Sequence, residues 1–120
     1  MKAEDHFQKA LRLDAGQNQL DPTHYSELII EGCYMAAHHY IEAGAEWRGI
    51  AHPQSHAHKA NTKLLTQSSA PQPVYNAWHD LEVLRPGGIY GKVPDEGSGE
   101  KARAGLQLIK DWAEARRLNL

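Results

Sequence analysis

One cysteine, no long apolar run and no basic tract already exclude several kinds of protein. Cys33 has no second thiol with which to form an intrachain disulfide. It lies in an apolar stretch, where a buried, inert thiol is expected. No segment approaches the ~20 apolar residues that span a bilayer, and Met1-Lys2-Ala3-Glu4-Asp5 opens onto no signal-peptide core. The expected location is therefore the cytoplasm. The 13 Lys and Arg are scattered and the net charge is −2, so an electrostatic grip on nucleic acid is not written into the composition. No phosphate-cradling Gly-Lys motif, Ser-His-Asp order or zinc knuckle occurs. No run of five or more residues alternates as a strand does.

What the chain does contain is helical periodicity and histidine. Its 120 residues suffice for one core and one domain, residues 1–120, and 23% charged residues are ordinary for a folded protein. A first helix is predicted over 2–14, broken by the segment from Asp14 to Gln19. Asp21-Pro22 predicts a capped start for a second helix, and Gly49 its stop after Arg48. That helix, about 40 Å long, carries Tyr25, Ile29, Gly32, Ala36, Tyr40, Ala43 and Trp47 on one face. Ile30, Cys33, Ala37, Ile41 and Gly44 form the adjoining stripe, while Glu27, Glu31, His38 and Glu42 are expected on the solvated side. Small residues at 32, 36, 37 and 44 invite close approach by a neighbour.

Ser55 is a plausible cap for a third helix over 56–67, and Ser68 to Pro73 is a break. Val74, Ala77, Trp78, Leu81 and Leu84 mark a fourth helix, expected to end at Pro86-Gly87-Gly88. The stretch 86–99 reads as the most flexible loop. Ser98 can cap a last helix with Ala102, Leu106, Ile109, Trp112 and Ala113 buried. Trp47, Trp78 and Trp112 are expected in the core. The predicted architecture is an all-α, up-and-down bundle of four or five helices.

Several elements together resemble the HEPN (higher-eukaryote-and-prokaryote nucleotide-binding) domain family. The resemblance is carried by His24-Tyr25-Ser26-Glu27 through Ala43-Gly44-Ala45-Glu46-Trp47-Arg48-Gly49, then Pro53 and His56. It continues through Leu81-Glu82-Val83-Leu84-Arg85 and Ile89-Tyr90. It implies a dimeric bundle that acts on, or with, nucleotides and RNA. In nuclease members an arginine is followed by four to six residues and then a histidine; one stabilises phosphate charge and the other assists the 2′-hydroxyl. Arg85 matches the arginine, but His79 is the last histidine of the chain. The nuclease motif is incomplete. The resemblance then implies a non-catalytic binding module without a cofactor. Such a module homodimerises through its second or last helix, and its partner is a nucleotide, RNA or a small nucleotidyltransferase.

Candidate contact residues are Arg85, Tyr90, Arg48 and His56. Arg85 either holds a phosphate or a partner's carboxylate, or caps the fourth helix. Tyr90 either lines a groove or the core, or offers a platform for base stacking. Two alternatives involve the eight histidines. A ribonuclease with a displaced set would use Arg48, His52 and His56. A metal-binding bundle would use His52, His56 and His58, of which the first two, at i and i+4, suit zinc if they share a helical turn. His24-x-x-Glu27 and His39-x-x-Glu42 reverse the Glu-x-x-His order of di-iron bundles. The expected exposure of His38 and Glu42 argues against a site there.

Overall fold

The computed structural model describes residues 2–50, 58–89 and 97–118, without the side chains of 58–59 and 86–89. Five helices account for them: α1 (Ala3–Asn18), α2 (Ser26–Glu46), α3 (His58–Gln67), α4 (Gln72–Ile89) and α5 (Ser98–Arg117). The predicted all-α bundle is what forms, and no strand occurs among the described residues. Within them, too, no helix is long and apolar enough to cross a membrane.

α2 is the spine and touches all four other helices. Its two apolar stripes explain why: Ile29, Ile30, Cys33, Ala36, Ala37, Tyr40, Ile41 and Ala43 are all buried. α1 and α4 run antiparallel to α2, with Gln17 near Gly32 and Phe7 near Trp47 on one side and Arg85 near Glu31 on the other. α5 runs parallel to it, from Gly99 beside Ile29 to Trp112 beside Gly44. The small residues of α2 serve as expected. A Cβ on Gly32 would lie 2.7 Å from Gln17 Cβ, and one on Gly44 would lie 2.7 Å from Trp112 Cζ3.

Aromatic side chains fill the spaces between helices. Phe7 packs against Tyr40 and Trp47, with ring centroids 5.5 and 5.2 Å apart. Burial of such a side chain contributes about 2–3 kcal/mol. Trp78 and Trp112 are buried as expected, Trp47 partly so.

Three element boundaries differ from the periodicity. α1 continues past Asp14 to Asn18 because tertiary contacts support its last turn. Gln17 is buried and donates to Asp14 Oδ1, which lies beside Tyr40. Arg103, reaching from α5, donates to the carbonyls of Gln17 and Leu20 and closes the helix end. α2 starts late. Asp21 accepts from the Thr23 amide in a separate turn, and the α-helix opens only at Ser26, whose hydroxyl donates back to the Pro22 carbonyl. With 21 residues α2 is about 31 Å long rather than 40, and Tyr25 is exposed instead of buried. α4 runs on through Pro86-Gly87-Gly88 to Ile89.

Two glycines permit left-handed turns at helix ends. Gly49 has φ +76° just past α2, the predicted stop, and Gly97 has φ +86° just before α5. Gly97 thus holds the cap position expected of Ser98, which becomes the first residue of the helix.

Candidate functional site

The C-terminal half of α2 contains the least expected feature of the molecule. Between Cys33 and Ala45 the helix is enclosed on nearly every side, and its strongly polar residues there are His38, His39 and Glu42. His39 is 7% exposed and Glu42 only 2%. Helical periodicity puts Glu42 and His38 on the solvated face. That is overturned for Glu42, and His38 is only half-buried rather than solvated. α1 covers this side of the spine, antiparallel, and inserts His6, itself 2% exposed, between them.

The contacts form a connected chain. His6 Nδ1 lies 2.9 Å from His39 Nδ1, with the two rings stacked at a centroid separation of 5.2 Å. His6 Nε2 lies 3.0 Å from Glu42 Oε2. The other carboxylate oxygen, Oε1, lies 3.0 Å from His38 Nε2. Asn61 of α3 holds His38 from behind, with Nδ2 at 2.8 Å from Nδ1 and 3.4 Å from the His38 carbonyl.

Because a carbonyl only accepts, the Asn61 nitrogen is a donor to both. His38 Nδ1 is then an acceptor, its ring proton sits on Nε2, and it points at Glu42. Burial, reinforced by the neighbouring His38 and His6 rings, pushes the His39 imidazole down to about 4. His39 is therefore neutral at physiological pH, with one ring nitrogen carrying a lone pair.

A buried carboxylate is costly unless hydrogen bonds or cations satisfy it. Here two imidazoles from different helices face the two oxygens of Glu42. The arrangement can accept and pass protons, or it can hold a cation. One ligand-type atom each from His6, His39 and Glu42 fall within 4.8 Å of one another.

Other candidates lie elsewhere. Arg85 does not cap α4, which continues to Ile89; its guanidinium goes sideways to Glu31 of α2. Arg85 Nε lies 3.0 Å from Glu31 Oε2, and an Nη2 contact of 3.1 Å goes to Oε1. The same guanidinium sits 4.3 Å from the centroid of Tyr34, whose ring stacks on Trp78 at 5.0 Å. The Glu31 carboxylate holds the Arg85 cation even more firmly charged than usual. Arg48 is exposed on the turn after α2. His52, His56 and Tyr90 lie outside the described residues, as does Ser55; His58 opens α3. Of the four contact candidates only Arg85 and Arg48 are described, and they lie towards opposite ends of α2.

His6 had no local signal, since its partners are more than thirty residues away. His39 and Glu42 did have one. A stretch with apolar or small residues on every face around two histidines and a glutamate is a helix buried all round, and its few polar residues must then be inside. Comparison with family models, curated proteins and solved structures found no match.

Proposed function

We propose that the protein is a HEPN-like, non-nucleolytic binding module that works as a homodimer with a partner protein. The observation that supports it is the order and length of the elements. A long central helix closes on a left-handed glycine at 49, a segment holding Pro53 and His56 follows, and two helices precede a closing α5. That is the order on which the resemblance rests.

Charge favours a protein partner, of the small nucleotidyltransferase kind, over free RNA. The chain carries a net charge of −2, and Arg85 already has Glu31 as a bidentate carboxylate partner. A phosphate would have to displace Glu31 to reach it. The same pairing argues against Arg85 as a ready-made phosphate clamp for RNA cleavage.

Most of α2 is covered by its own chain, so a second copy using that helix meets it at Tyr25 and Leu28, which are 48% and 58% exposed. On α5 the corresponding apolar position is Leu108. Light scattering on a size-exclusion column tests this directly. The expected result is a dimer that Leu28→Asp or Leu108→Asp converts to a folded monomer. A monomeric parent protein that also fails to bind a small nucleotidyltransferase, a nucleotide or a short RNA in titration overturns the reading.

A further inference from the structure

We propose that His6, His39 and Glu42 form a buried binding site for a single divalent first-row metal ion, zinc being the representative case. This site is independent of the binding-module reading and uses none of its residues.

Geometry and chemistry carry the inference. Two imidazoles and one carboxylate are a common ligand set for zinc and for non-haem iron. They come from two helices, α1 and α2, whose packing fixes them. One ligand-type atom from each residue lies within 4.8 Å of the others; His6 approaches His39 through Nδ1 at 2.9 Å and Glu42 through Nε2 at 3.0 Å. Ligands about 2.0–2.2 Å from a shared metal lie about 3.0–3.5 Å apart. Because His6 uses Nδ1 towards His39 and Nε2 towards Glu42, closing on one ion requires a side chain to turn until a single His6 nitrogen faces both partners.

The nitrogens of His6 and His39 face each other. In that contact the two nitrogens can share one proton or one cation. The surroundings resemble an outer shell. His38 donates to the Glu42 oxygen that faces away from His6, and Asn61 fixes the His38 ring. Such partners orient a ligating carboxylate and tune its affinity. Three protein ligands leave a coordination position for water.

The test begins with chelator-stripped protein, to which Zn²⁺ or Co²⁺ is added. One equivalent of Zn²⁺ is expected to raise the melting temperature, and Co²⁺ to give the visible absorption of a low-symmetry N/O site. Asn61→Ala, which removes no ligand, is expected to weaken binding about 10–100-fold. His39→Ala and Glu42→Gln should abolish the saturable response, while His24→Ala and His79→Ala, both at exposed positions, should leave it intact. Circular dichroism identifies variants that fail to fold. Should both ligand variants unfold, the parent Co²⁺ spectrum and the Asn61→Ala titration decide alone. No melting shift and no cobalt spectrum from the parent protein would overturn the proposal, leaving a hydrogen-bonded polar core. So would a response that survives unchanged in folded His39→Ala.

Discussion

Gly44 of α2 and Trp112 of α5 occupy one another's space: a Cβ on Gly44 would fall 2.7 Å from Trp112 Cζ3 and 3.0 Å from Cη2. A real Cβ essentially never comes that close to a non-bonded carbon, so any side chain at 44 must push the indole away. The Trp112 ring is buried and has the Arg116 guanidinium 5.1 Å from its centroid.

Gly44→Ala should therefore destabilise, although alanine is the better helix former by about 1 kcal/mol. Overpacking of about 1–3 kcal/mol opposes that gain, and a net loss of up to about 2 kcal/mol is expected from denaturant unfolding. Gly16 of α1 is the control, since a Cβ there meets nothing within 4 Å. Gly16→Ala should stabilise by about 0.5–1 kcal/mol.

Arg103 joins α5 to the end of α1. Its guanidinium donates to Gln17 Oε1 at 2.9 Å and to two backbone carbonyls at 2.7 and 2.8 Å. Replacing it with methionine keeps much of the stem and removes the donors. A loss of about 2 kcal/mol is expected, together with faster amide exchange in residues 14–18. Unchanged exchange there would mean that α1 ends where it does without help from α5.

The Arg85–Glu31 pair is partly exposed, so its worth is modest despite bidentate geometry. A double-mutant cycle with Arg85→Met and Glu31→Gln should give a coupling of about 0.5–1 kcal/mol. The coupling should shrink as salt is raised. A larger, salt-independent value would point to the stack on Tyr34 as the main contribution of Arg85.

Cys33 is fully buried, and burial pushes its thiol up to about 12. At pH 8 the folded protein should resist alkylation and react only as it unfolds. The same shift sets a pH dependence. The unfolded thiol ionises near pH 9 while the folded one does not, so its contribution to stability is complete below pH 9 and declines as pH rises towards 12. Tyr40 adds to the decline, because burial and the Asp14 carboxylate it donates to raise its hydroxyl as well. Urea unfolding at pH 8 and pH 10.5 should show a lower midpoint at the higher pH.

Apolar periodicity in the sequence identified the five helices, the buried stripes of α2 and α5 and the close approaches at Gly32 and Gly44, because these depend on spacing within one segment. It missed the last turn of α1, which depends on Arg103 some eighty residues later. It missed Glu42 for a related reason. A glutamate on a helix is ordinarily solvated; the apolar and small residues around Glu42 signalled a buried stretch, but its partner His6 comes from α1. Arg85 was legible as a singular arginine, but its partner Glu31 lies 54 residues away. Residues that act within a helix were readable; those defined by a partner on another helix were not.

Native mass spectrometry on protein purified without chelator tests the binding-module reading most directly, because one spectrum reports oligomeric state and retained ligands. The predicted result is a dimer mass that gains a partner chain when a small nucleotidyltransferase is supplied, or that retains a nucleotide. A monomer that carries neither, and stays unchanged when nucleotide, RNA or nucleotidyltransferase is added, would contradict it.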